Sequence, residues 1–129
     1  MAGRARAALV AAIILVAGCQ SKLNVERTVD FDAGLDTYID IDPPKYDQTL
    51  SITVTSDTPI DVYVYLKKDK EAAQRDAMLG KKNSSVVLAG KEKVQSDTLE
   101  AKVPAKEPAV VMIRSSSKAG TAKLKIVGK

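Results

Sequence analysis

The sequence predicts an all-β fold: an antiparallel, jelly-roll-like β-sandwich of about eight strands with one short inserted helix. Three observations carry this reading. From Val25 onward, apolar and polar residues alternate with a period of two in short runs, the pattern of strands with one buried and one wet face. These runs are bounded by Gly, Pro, Asp and Ser and recur about every ten residues, the spacing of a sandwich. One stretch, Asp69 to Leu79, abandons that period and is built of helix formers without a β-branched residue.

The elements follow in order. Val25, Val29 and Phe31 share one face of the first run, and Ile39 and Ile41 share a face of Thr37–Ile41. Pro43-Pro44 stops that second run, because proline has no N–H to give to a ladder. In Thr49–Thr55, Leu50, Ile52 and Val54 face one way and the hydroxyl residues the other. Ser56-Asp57-Thr58-Pro59 reads as a turn into Ile60–Leu66, where Ile60, Val62, Val64 and Leu66 enter the core and Tyr63 and Tyr65 point away. Asp69 is placed to cap the helix, Glu71 suits its first turn and Gly80 its C-terminal exit. The helix is expected to cover one end of the sandwich with Ala73, Ala77 and Met78. Ser85–Ala89, Thr98–Val103, Ala109–Arg114 and Ala122–Val127 complete the strands. Val110-Val111-Met112-Ile113 is apolar on both faces, which predicts a strand covered on both sides.

Ahead of the domain the chain reads as an export signal. Arg4 and Arg6 precede an uninterrupted apolar run from Ala7 to Ala17, too short to span a bilayer, which needs about 20 residues, and of the right length for a signal-peptide core. The run closes in Leu15-Val16-Ala17-Gly18-Cys19-Gln20. This resembles the lipobox of bacterial lipoproteins, an aliphatic residue and two small ones before the cysteine that becomes the new N-terminus. The resemblance implies a diacylglycerol on the Cys19 sulfur and cleavage between Gly18 and Cys19. It also implies residence in the cell envelope, with Gln20 favouring the outer membrane in a diderm. A single acyl chain binds a membrane only marginally, whereas two or three hold it stably. The organisation expected is therefore a signal peptide over 1–18, a lipidated tether over 19–24 and a β-sandwich over 25–129.

Four segments of the domain, Phe31-Asp32-Ala33-Gly34, Asp61–Leu66, Val110–Arg114 and Lys123–Val127, follow an order that resembles the pre-peptidase C-terminal domains, small jelly-roll-like modules of secreted bacterial proteins. The resemblance spans about residues 25–127 and implies architecture, with no activity attached. Val103-Pro104-Ala105-Lys106-Glu107-Pro108 departs from that family's aromatic-rich approach to the last strand.

Composition narrows the chemistry. The 129 residues include no His, no Trp and one Cys, which excludes imidazole triads, His-ligated zinc and an intrachain disulfide. No G-x-S-x-G elbow and no phosphate-cradling glycine loop occurs, so no catalytic residue is assigned and an enzyme is not expected. Nucleic acid is not an expected partner, since stacking aromatics are scarce. Removing Arg4 and Arg6 with the leader lowers the net charge from +4 to +2. The charge is two-sided: residues 26–61 hold nine acids and two bases, residues 62–129 seven acids and fifteen bases. Cross-strand pairing between the halves is the simplest use of that asymmetry. The function expected is a lipid-anchored envelope module with a non-enzymatic binding or structural role, held to the membrane through Cys19 and engaging an envelope protein. The alternative is a calcium- or glycan-binding lipoprotein, using Asp30, Asp32, Asp40 and Asp42, or Tyr63 and Tyr65. No cofactor is implied.

Overall fold

The computed structural model describes residues 23–81, 84–115 and 118–129; the leader, Cys19 and residues 20–22 lie outside the described residues. Six strands form: β1 (Asn24–Phe31), β2 (Asp36–Ile41), β3 (Gln48–Leu66), β4 (Val87–Val103), β5 (Ala109–Ser115) and β6 (Gly120–Gly128). A 3₁₀ turn over Lys67–Asp69 leads into the helix α1 (Lys70–Met78). All pairings are antiparallel, in the order β1-β6-β3-β5-β2, with β4 on the other edge of β3.

The fold is all-β with one short helix, as its alternation requires, but it has six strands in one curled sheet where eight in a jelly-roll sandwich were expected. The difference lies in two long strands. β3 runs 19 residues and β4 17, and each absorbs two of the predicted runs. A straight strand of that length would reach about 60 Å at roughly 3.3 Å per residue, far beyond a domain of this size. β3 therefore bends over Ser56–Pro59, where its register with β4 shifts between Thr55 and Ile60. Pro59 has no N–H for the ladder, and the Ser56 hydroxyl donates to the Thr58 carbonyl at 2.6 Å. β4 bends opposite it, with Lys93 at φ 55°. The residues that read as a turn thus set curvature, and the ladder continues through them.

The bend divides the sheet into two arms. Before it, Leu50–Ser56 pairs with Gly128–Ala122 of β6; after it, Ile60–Leu66 pairs with Ser115–Ala109 of β5. β1 extends the first arm and β2 the second. Even-numbered apolar residues of β3 stay on the concave side throughout, so Leu50, Ile52, Val54, Ile60, Val62, Val64 and Leu66 join one core. Phe31, Ile39, Leu99, Val111, Ile113, Leu124 and Ile126 fill it from the other strands.

A second, smaller core lies on the convex side of the β5 arm. There α1 presses Ala73 and Ala77 onto Tyr63, Tyr65, Val87, Val110 and Met112. β5 is accordingly covered on both sides, as its unbroken apolar run predicts. The helix lies over a sheet face where an end of the sandwich was expected, and Met78 is 73 % exposed and takes no part in that core. Asp69 occupies the N-cap position without a side-chain capping bond, because the chain enters through the 3₁₀ turn. The exit is a Schellman motif: Gly80, at φ 75°, donates its N–H to the Ala77 carbonyl at 3.0 Å, and Lys81 to that of Asp76 at 2.9 Å.

Ile52 is fully buried, so Ile52→Ala is expected to lower the unfolding free energy by about 2–5 kcal/mol. Gly80→Ala should cost about 1 kcal/mol, through the left-handed backbone that a Cβ disfavours. Denaturant titration with circular dichroism checks both.

Candidate functional site

The two ends of the curled sheet carry different groups. At the bend end, the turn after β1 is tied to β5: the Ser115 hydroxyl donates to the Asp32 carbonyl at 2.5 Å and accepts from the Gly34 N–H at 2.9 Å. At the opposite end, the Leu23 carbonyl accepts from the Gly128 N–H at 2.8 Å. The loops Asp42–Asp47 and Pro104–Pro108 lie there too, since Gln48 pairs with Val103 and both Ile41 and Leu66 pair with Ala109.

These positions decide the alternative sites. Asp30 and Asp32 stand at the bend end, with Asp30 accepting the Thr121 hydroxyl at 2.8 Å, whereas Asp40 and Asp42 stand at the Leu23 end, next to the Ile41–Ala109 pairing. The fold separates the four aspartates, and no cluster of three or more metal-ligating side chains occurs among the described residues. Tyr63 and Tyr65 share a face as expected, but each is only 1 % exposed beneath α1. A buried pair offers no platform for a sugar, so the alternation signal was right and its use was packing.

The register assembles a cluster that no single segment reveals. Asp36 of β2, Arg114 of β5 and Asp61 of β3 form one cross-strand row; Tyr38, Met112 and Tyr63 form the next. Arg114 grips Asp36 with two hydrogen bonds, Nε to Oδ1 at 2.9 Å and Nη2 to Oδ2 at 3.3 Å. That bidentate bond raises the Arg114 pKa further above its ordinary value. Asp61 accepts the backbone N–H of Lys93 at 3.0 Å and so fastens the bend of β4. The Tyr63 hydroxyl donates to Glu92 at 3.1 Å; burial first, and the Glu92 charge second, push its pKa up to about 12. The signal was present in the sequence as Asp36-x-Tyr38, Asp61-x-Tyr63 and Met112-x-Arg114, but their pairing is set by long-range register.

Chemically this cluster is a clasp. Arg114 and Asp36 neutralise one another, Asp61 holds backbone, and Tyr63 is a neutral phenol with its proton engaged. Beside it lies an exposed surface of mixed character. Tyr38 is 47 % exposed and accepts from Gln74 of α1 at 3.4 Å; Met78, the last residue of α1, and Leu79, its C-cap, are 73 % and 67 % exposed. Contact surfaces for proteins are enriched in Tyr, Met and Arg in this way.

The two charged halves of the sequence meet in the Arg114–Asp36 pair. The pairs Lys68–Glu107, Lys81–Asp76, Lys91–Asp97 and Lys129–Glu100 lie within the basic half. Local pairing thus takes up much of the complementarity expected between halves. In Lys91–Asp97, the hydrogen bond from Lys91 lowers the Asp97 pKa. An open groove of about 280 Å³ at the Leu23 end is lined by residues that include Asp47, Gln48, Lys102, Pro104 and Lys129. No helix among the described residues is long and apolar enough to cross a membrane.

Unfolded tyrosine ionises near 10.0 and Tyr63 near 12, so the folded state holds this proton more tightly. Its contribution to stability is whole below pH 10 and is lost as pH rises towards 12. Tyr63→Phe should remove the last step of the tyrosinate absorbance titration and flatten the fall in melting temperature over that window; persistence of the step would reassign it.

No protein-family model matches the chain, and no curated protein does. Solved structures do share its fold. It is similar to the Yersinia pseudotuberculosis-derived mitogen, with a TM-score of 0.56, 7 % identity, and coverage of 81 % of this chain and 84 % of that one. It is also similar to an Aeromonas hydrophila periplasmic lysozyme inhibitor of g-type lysozyme, with a TM-score of 0.53, 7 % identity, and coverage of 90 % and 93 %. At such identity the likeness is one of fold: a curled antiparallel sheet of about this length is an established arrangement, here carrying an unrelated sequence.

Proposed function

We propose that this protein is a lipid-anchored module of the bacterial cell envelope that acts by binding, without catalysis. One observation carries the non-enzymatic part. The titratable groups that the fold gathers, Asp36, Asp61, Tyr63, Glu92 and Arg114, are engaged with one another or with backbone. The anchor rests on Val16-Ala17-Gly18-Cys19 following a cationic start and an apolar run. The two proteins of like fold, a mitogen and a periplasmic lysozyme inhibitor, are named for effects on other molecules and support a binding role for the scaffold. On this reading the mature chain begins at Cys19, is exported, and reaches the outer membrane where the cell has one. The surface offered to an envelope protein is Tyr38, Met78 and Leu79 beside the Arg114 clasp, which combines aromatic, thioether and charged contacts.

Membrane fractionation with mass spectrometry of the mature N-terminus tests the anchor. The wild type should sediment with membranes carrying a diacylglyceryl group on Cys19, and Cys19→Ala should keep its leader uncleaved and unlipidated. A wild type cut elsewhere, with a free thiol at Cys19, would overturn the assignment. For the binding surface, a photo-crosslinker at Met78 should give a discrete protein adduct in intact cells, reduced by Tyr38→Ala. Hydrolytic activity of the purified chain that survives removal of contaminants would refute the non-enzymatic reading.

A further inference from the structure

We infer that the Leu23 end of the domain is a membrane-contact surface that rests on anionic lipid headgroups. This deepens the proposed function and rests on the lipid anchor at Cys19. Only three residues, Gln20, Ser21 and Lys22, separate Cys19 from Leu23. Four peptide steps extend at most about 14 Å, roughly the radius of gyration of a domain this size. A cysteine held by acyl chains therefore keeps whatever surrounds Leu23 at headgroup depth or just above it.

What surrounds Leu23 suits that place. Its carbonyl is held by Gly128, and the next residue, Lys129, donates its N–H to Thr49 at 2.8 Å. The two neighbouring loops are joined to each other: the Lys106 N–H donates to the Pro44 carbonyl at 2.7 Å, and that of Ala105 to the Asp47 carboxylate at 2.9 Å. Together they present Lys45, Tyr46 and Lys106, with Lys102 near the end of β4, all exposed, with Tyr46 at 72 %. Of the acids at this end, Glu107 is paired with Lys68 and Glu100 with Lys129, Asp47 accepts from backbone, and Asp40 and Asp42 are exposed. Lys45, Lys102 and Lys106 have no carboxylate partner among the described residues.

A tyrosine flanked by lysines is the composition that settles at a bilayer interface, the ring among the headgroups and the ammonium groups on phosphates. The bend end, by contrast, points away from the bilayer and leaves Tyr38, Met78 and Leu79 on the flank, open to a partner.

The chain contains no Trp, which makes the test direct. Lipidated full-length protein carrying Tyr46→Trp or Leu35→Trp is reconstituted into phosphatidylcholine vesicles, with and without phosphatidylglycerol, containing brominated lipid. Both sites are exposed, so both variants should fold, and circular dichroism verifies it. The tryptophan at 46 is expected to be quenched several-fold more than that at 35. Its emission should shift to the blue when phosphatidylglycerol is present, and adding Lys45→Glu and Lys106→Glu should reverse much of this. Equal, weak quenching at both sites on a protein whose Cys19 is shown to be diacylated would overturn the orientation alone. A blue shift at 46 without bromine quenching would mean burial against protein, including a second copy, and would also overturn it. An unmodified Cys19 would remove the anchor and the orientation together.

Discussion

The structure depends on one geometric constraint: two adjacent strands too long to lie straight bend at the same level. β3 turns over Ser56–Pro59 and β4 at Lys93, and Asp61 accepts the Lys93 N–H so that both bends stay in step. Because side chains alternate with a period of two, the bend must keep parity or the second half of β3 would offer its tyrosines to the core. It keeps parity, and one run of even-numbered residues from Leu50 to Leu66 lines the concave face of both arms. The positions of β5 and β6 follow from where each half of β3 exposes an unpaired edge.

The arms then diverge in what they do with the convex face. The β5 arm turns Tyr63, Tyr65, Val110 and Met112 outward and needs α1 to cover them. The β6 arm turns out Glu26, Lys125, Thr53 and Thr98 in one cross-strand row and Thr28, Lys123, Thr55 and Ser96 in the next. Those rows are stable in water, and the Thr53 and Thr98 hydroxyls meet at 3.4 Å, so no second helix is required. At the margin of this arm, Arg27 interrupts the inward series of Val25, Val29 and Phe31 with a charge. An inward charge on an edge strand discourages another sheet from pairing there.

Much of the architecture was legible in local pattern. Alternation identified the buried residues of β2 and β3, the unbroken apolar run at Val110–Ile113 announced a doubly covered strand, and the change of period at Asp69 located the helix together with its glycine exit, whereas buried Val94 of β4 lay outside every predicted run. The strand count was not legible, because Ser56-Asp57-Thr58-Pro59 and the polar stretch from Lys91 to Ser96 carry the same residue types whether a chain reverses or only bends. The site was least legible of all. Asp36, Asp61 and Arg114 are far apart in sequence, and each looks like an ordinary residue on a wet face until the register sets them in one row. For the same reason the burial of Tyr63 and Tyr65 could not be read from β3 alone: it is decided by a helix lying over them.

The pairing of β1 with β6 has a consequence for the order in which this chain can fold. Asn24 lies opposite Val127 and Phe31 opposite Gly120, so the first strand to emerge is completed only by the last. The hairpin of β3 and β4 and its junction with β5 involve much shorter separations, and their loops close at lower entropic cost. The β5 arm can thus consolidate while β1 still waits with its backbone groups unsatisfied and its edge open to other chains. A chain that stopped between Ser115 and Gly120 would keep the pairings of β2, β3, β4 and β5 and lose β6, which leaves β1 without its partner. The strand that starts at Asn24 is therefore the last to be secured.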